Sequence, residues 1–318
     1  MKNFLIWIIL LAGIGYGGAK LYMHNEVSKG VDMAILMMSP YADIEYEGIA
    51  STLTGELTVE NVRVVVEGYS DEIFVESIGI DTPSFLSLIE LGDVARMQSR
   101  EFPEYFGFIV KGLRIPVNAD YFRDLYQFAL AERGIDGELS AAAECTGRYG
   151  FSPTTLSALG YHDQVLSMTM ILRDEESRYS LDMDVSMDEM WDMTASMKMA
   201  GNMMTEMSKG LAYQPRLSQL HLEFTDRSLN ERVTRYCKRR GLTDADTMRA
   251  QVDSFRQVGK EYGIEFDQYI IDPYKEFLLG KPTLVVTAQP NNPVVFSQID
   301  LYKPEDVPAL LNLAAVAR

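Results

Sequence analysis

The sequence predicts an α+β fold, an N-terminal transmembrane helix followed by antiparallel sheet with packed helices, and three observations predict it. Phe4 to Ala19 runs without a single charged residue. Short stretches of alternating apolar and polar residues recur from Asp43 to Met199, as strands with one wet face require. Capped helical patterns then fill the chain from Ser228 to Leu279. The expected organisation is an anchor over residues 1–23, an α+β region over 24–150, and a second over 151–318 with Met-rich strands and a helical bundle.

Counted to Met23, the first segment is about 20 residues, roughly 30 Å as a helix and the thickness of a bilayer core. Trp7, Tyr16 and Tyr22 suit the interfaces, and Lys20 can snorkel outward. Lys2 favours keeping the short end in the cytoplasm. The competing reading is a signal peptide cleaved near Gly17-Gly18-Ala19. Either way the body is exported. The expectation is a bacterial inner-membrane protein, single-pass through residues 4–23, with the bulk of the chain periplasmic and the inner membrane as its first partner.

A helix is expected over Val27–Met38, ended by Ser39-Pro40. Strands follow at Asp43–Gly48, at Leu57–Val64 with a bulge at Asn61, at Phe74–Ile80 and at Phe106–Ile115. Helices lie between them at Ser84–Leu91 and Ala119–Arg133, the latter capped by Asn118. Ser152-Pro153 opens a short helix that ends at Leu159-Gly160. Val165–Leu172, Arg178–Met187 and Trp191–Met199 give the clearest alternation in the chain, and Leu217–Phe224 reads as one more strand. Ser228-Leu-Asn-Glu231 resembles a capping box for a helix through Arg240, and further helices are expected at 243–262 and 266–279. Strands at Thr283–Thr287 and Val294–Leu301 and a final helix from Pro304 complete the reading. The intervening helices exclude an outer-membrane barrel.

The net charge of −17 argues against nucleic acid, whose phosphates would be repelled at long range. Arg232, Arg235, Lys238, Arg239 and Arg240 read as a solvated helix face. Cys145 and Cys237 are the two cysteines, and spacing alone does not decide whether they join. His24, His162 and His221 lack ligand spacing, so no metal and no cofactor is expected. No phosphate loop, nucleophile elbow or paired-histidine motif occurs. Asp182-x-Asp184 reads as the wet side of a strand, and Asp226, Glu231 and Arg232 as capping and surface pairing.

The methionines stand out. Of 18, Met168, Met170, Met183, Met187, Met193, Met197 and Met199 fall on apolar strand faces, and Met203, Met204 and Met207 follow. Flexible thioethers adapt to varied apolar partners, whereas a core beneath the C-terminal helices would use them as filler. These seven strand methionines are the candidate lipid- or partner-binding residues.

Ile49-Ala-Ser-Thr-Leu-Thr-Gly-Glu-Leu-Thr-Val-Glu-Asn-Val-Arg-Val64 after an apolar helix resembles the opening of AsmA-like and YdgA-like bacterial proteins, as does Phe74–Asp81 leading into Pro83-Ser84. The stretch from Leu159-Gly160-Tyr161 to Pro290-x-x-Pro293-Val looks like periplasmic proteins of proteobacteria. The resemblance implies a non-enzymatic, membrane-anchored envelope protein whose sheet binds a lipid or a protein partner, and it brings no catalytic residues. The alternative is a structural or assembly factor for an inner-membrane complex, and the third reading is a periplasmic hydrolase.

Overall fold

The computed structural model describes residues 28–29, 31–33, 35–52, 54–88, 90, 103–135, 139, 141–175, 178–201 and 214–318. Among the described residues twelve strands form one antiparallel sheet. They are β1 (Ala42–Glu45), β2 (Gly48–Ser51), β3 (Glu56–Val66), β4 (Glu72–Asp81), β5 (Tyr105–Pro116), β6 (Asp163–Glu175), β7 (Arg178–Met187), β8 (Trp191–Ala200), β9 (Arg216–Asp226), β10 (Thr283–Ala288), β11 (Val294–Val295) and β12 (Leu313–Ala317). The order is β1-β3-β4-β5-β6-β7-β8-β9-β10-β12, with β2 beside β3 and β11 beside β9. The sheet is open, because β1 and β12 end the path without pairing to each other.

The helices are α1 (Asp120–Ala131), α2 (Ala141–Thr146), α3 (Pro153–Leu159), α4 (Leu229–Arg239), α5 (Asp244–Glu261), α6 (Gln268–Leu278) and α7 (Val307–Leu310). Residues 28–29, 31–33 and 35–38 are helical as well. The transmembrane helix expected over residues 4–23 lies outside the described residues. Among the described residues no helix is long and apolar enough to cross a membrane. The fold class is corrected accordingly, to an α+β protein with a large open sheet and packed helices. The single-pass inner-membrane placement and the membrane as partner rested on that helix, and they are withdrawn with it.

Capping explains several helix starts. Ser152 accepts from the Thr155 backbone N–H, and Gly160, with φ 90°, ends α3 in the left-handed region. A capping box does open a helix, but it is Thr243 with Asp246 at α5 rather than Ser228 at α4. At α4 the Asp226 carboxylate accepts from the Asn230 N–H. Asn118 does not cap α1 either; the Asp71 carboxylate accepts from the Asp120 N–H at 2.8 Å. Two C-terminal expectations also change. Only Val294–Val295 is strand before a 3-10 turn at Phe296–Leu301, and the final helix shrinks to α7, followed by β12.

One apolar face runs across the sheet, and an irregularity keeps it continuous. Val59, Ile78, Val110 and Met168 are successive cross-strand partners, as are Val62, Val75, Leu113 and Leu166. On β3, β4 and β5 these positions are three apart, a spacing that puts side chains on opposite faces of a regular strand. Asn61 (φ 51°) and Gly112 (φ 59°) break the alternation, and the register shifts between Val110 and Leu113. Val59, Val62, Val75, Ile78, Val110, Leu113 and Met168 consequently join one cluster. A Cβ at Gly112 would meet Glu76 at 2.9 Å, so glycine suits this position on both counts.

The helices pack at the margins of that face. Val233, Tyr236 and Cys237 of α4 and Leu156 and Leu159 of α3 bury with Met190, against Met187 and Trp191. A line of aromatic rings then fastens the sheet to α6 and α5: Trp191, Phe224, Phe277, Tyr274, Phe255 and Phe266, with neighbouring centroids 4.3 to 6.4 Å apart. Cys145 on α2 is joined to Cys237 on α4, both fully buried. Beside this disulfide the Glu144 carboxylate accepts from Thr155 Oγ1 and Tyr236 OH, each at 2.8 Å.

The disulfide closes a loop of 92 residues. Replacing both cysteines with alanine is expected to cost about 2–5 kcal/mol, read from urea unfolding of the oxidised and substituted chains. Burial pushes the Tyr274 phenol up to about 12 from an ordinary value of 10.0. The unfolded chain therefore loses this proton first as pH rises, so stability intact below the ordinary value declines toward the raised one. Tyr274→Phe should flatten that alkaline decline, measured by comparing urea midpoints at about pH 9 and about pH 11.

Candidate functional site

The seven strand methionines share one face of β6, β7 and β8. Met168 lies opposite Val185, which lies opposite Met193. Met170 faces Met183 directly, and Met183 faces Ala195. Leu172, Leu181 and Met197 form the next row, and Tyr179 and Met199 the row beyond. Leu166, Met187 and Trp191 close the opposite end. Because an antiparallel register repeats every second residue, the parity of each strand fixes the whole surface.

The rows do not have equal surroundings. Met199 is buried at 7% exposure, and the other six methionines are half-buried. Met187 packs against the α3–α4 cluster, Met168 against the Val62–Val75–Val110 cluster, and Met197 against Leu217, Ala288, Val294, Val307 and Leu311. Met170, Met183 and Met193 occupy the centre between these clusters, together with Leu172, Leu181, Val185 and Ala195. Those four are part of the same surface, and a list of methionines omits them. Alternation was the signal that could have included them, since they hold the same parity.

The reverse side is polar. Thr169, Asp184, Thr194 and Glu223 form one cross-strand row, and Ile171, Asp182, Ser196 and His221 the next. Asp182 is ion-paired with Arg173, and it accepts from Ser196 Oγ at 2.7 Å. Asp192 takes both arms of Arg227, at 2.6 and 2.7 Å. Glu223 accepts from Arg318 at 2.7 Å. Asp184 and Asp192 line a cleft of about 380 Å³ with Lys111, Ser167 and Thr194. Asp182 and Asp184 therefore sit on a solvated ladder of ion pairs and hydroxyls. Among the described residues no three His, Cys, Asp or Glu side chains are grouped to hold a metal ion.

Carboxyl groups held above their ordinary range are scattered. Burial raises Asp226, against the pull of the Asn230 and Leu229 backbone N–H groups, and burial also raises Asp174 and Asp81. These three lie at strand ends on β9, β6 and β4. The basic residues of α4 are engaged locally. Arg232 reaches Glu189 and lies 4.3 Å from the Tyr161 ring centroid, Arg235 pairs with Glu231, and Lys238 pairs with Asp244. Met203, Met204 and Met207, which follow the strand methionines in the sequence, lie outside the described residues.

Residues 177–318, from the start of β7 onward, match a protein family described as "Uncharacterized protein". No curated protein matches the chain. The match overturns the AsmA-like and YdgA-like resemblance, which rested on short motifs and on the apolar segment before them. With that resemblance goes the reading of a membrane-anchored envelope protein that binds lipid.

The two faces differ in what a charge would do. Met197→Asp places a carboxylate against Leu217 and Val294 and should cost about 2–4 kcal/mol. Asp184→Asn, on an exposed position, should stay within about 0.5 kcal/mol. Chemical denaturation of the two variants checks the contrast; equal losses would mean that the faces are wrongly assigned.

Proposed function

We propose that this chain is a non-catalytic structural or assembly protein that docks a protein partner on the methionine-rich face of β6, β7 and β8. The observation that carries the reading is the apolar centre at Met170, Met183 and Met193, only half-buried and ringed by packed clusters. A surface of unbranched thioethers conforms to apolar side chains of varied shape, as amphipathic segments of a partner present them. Leu172, Leu181 and Val185, on the same face, complete the apolar surface.

The non-catalytic part of the proposal is supported by where the charges go. Asp182, Asp192 and Glu223 are each occupied by an arginine on the polar side, away from the apolar centre. The raised carboxyls at Asp81, Asp174 and Asp226 stand on three different strands and do not converge on one substrate position. Acid–base chemistry needs such groups within hydrogen-bond reach of one reacting atom.

The test is cross-linking from the face itself. A photoreactive methionine analogue incorporated into the full chain in its own cells should yield cross-links to one recurring polypeptide from Met170, Met183 or Met193. Met183→Lys should remove them while the circular dichroism spectrum persists. Cross-links that run only within the chain would show the face to be covered by the protein's own residues, and the proposal would fail.

A further inference from the structure

The two edges of the sheet are built differently. At the first edge β1 and β2 both lie against β3, and the edge is interrupted at Tyr46–Glu47. Asp43 and Glu45 are exposed there, and Glu47 accepts from Asn61 Nδ2 at 2.8 Å. A short, broken, acidic edge is how proteins prevent strand addition. At the other edge β12 reads Leu313-Ala-Ala-Val-Ala317, with no charge, no proline and no register shift against β10. Val316 is 58% exposed.

The backbone of β12 is half used. Arg318 and Thr283 exchange both of their backbone hydrogen bonds, at 2.9 and 3.1 Å. Antiparallel pairs alternate, so Val316 and Ala314 also direct their N–H and C=O groups to β10. Leu313, Ala315 and Ala317 direct theirs outward. Among the described residues no other element bonds those outward groups.

We infer that β12 is a self-association edge, which pairs antiparallel with β12 of a second copy about a two-fold axis at Ala315. The residues themselves select this occupant. With Ala315 opposite its own copy, the outward groups of Leu313 meet those of Ala317, so all three outward residues find hydrogen-bonding partners of the right parity. On one face Leu313 then lies beside Ala317, and on the other Val316 lies beside Ala314, large against small at each pair. In this register Arg318, engaged with Glu223 of its own chain, falls opposite the uncharged Asn312 of the second copy. The pairing continues the sheet from one copy into the next as a closed two-fold dimer. It is independent of the docking face, which lies on other strands.

Each copy carries a net charge of −17, so association works against long-range repulsion, and added salt should strengthen it. The experiment is sedimentation equilibrium of the full chain at low and high salt, with Val316→Glu and Ala315→Pro. The expected result is a monomer–dimer equilibrium favoured by salt, with each variant weakening it by at least about tenfold. Val316→Glu acts at an exposed side chain and should leave the melting temperature unchanged; it decides the matter if Ala315→Pro unfolds. A chain that stays monomeric at high salt overturns the inference, and so does a dimer that survives Val316→Glu with its affinity intact. Hydrogen-exchange protection of the outward amides of Leu313, Ala315 and Ala317 in a sample that sediments as monomer would give the edge to another occupant and would overturn it too.

Discussion

The register among Met168, Val185 and Met193 is the constraint on which the other features depend. Side chains alternate along a strand, so a slip of one residue on β7 would carry Asp182, Asp184 and Ser186 into the apolar face and Met183 and Val185 out of it. The exchange would leave Arg173 without Asp182 and would set carboxylates against Met170 and Met168. Burying one such charge unpaired costs more than a typical single contact returns. The polar ladder and the apolar face therefore specify the same pairing from opposite sides.

That alternation alone would fail on the N-terminal strands. Val59 and Val62, Val75 and Ile78, and Val110 and Leu113 are spaced by three, and only an irregularity aligned across β3, β4 and β5 brings each pair to one face. Asn61 and Gly112 supply the left-handed backbone that such a step needs. On β6 the spacing returns to two, at Leu166 and Met168, and the register shift between Val110 and Leu113 absorbs the difference. Ser167 Oγ accepts the Gly112 N–H at 3.1 Å, which satisfies a donor that the bulge would otherwise strand.

Long strands with strict alternation were legible in the sequence, because parity on β6, β7 and β8 is a direct record of burial. A break in the alternation at Asn61 was legible as well, although no register shift accompanies it there, and its alignment with Gly112 was not legible, since that depends on partners far away in the chain. Capping at α4 was misplaced for a simpler reason. Ser228 and Asp226 are both acceptable cap residues, and only the path from β9 decides which side chain reaches the Asn230 N–H. The final strand was missed because Leu-Ala-Ala-Val-Ala has a helix former's composition; Asn312, with φ 47°, turns the chain so that β10 captures it. The centre at Met170, Met183 and Met193 could be listed from the sequence, but whether helices lie over it could not, because amphipathic helices do not state which part of a sheet they cover.

The helices go where specific contacts hold them, and this sets the limits of the methionine-rich face. The Cys145–Cys237 bond and the Glu144–Tyr236 hydrogen bond fix α2 against α4, and Arg232 ties α4 to the carbonyls that end α3. The result is a helical layer seated on the hairpin between β7 and β8, where Met190 is buried and Trp191 begins the line of rings. That line leads sideways, through Phe224 and Phe277 to α6 over β10 and β12, and not along β7 toward Met183. Each ring in it gains by stacking on the next, so sliding α6 toward the centre would break several contacts to make a few. The same packing buries Ala317 from the apolar side and leaves Val316 exposed on the other. One arrangement of aromatic side chains thus bounds the methionine surface and holds β12 at the edge of the sheet.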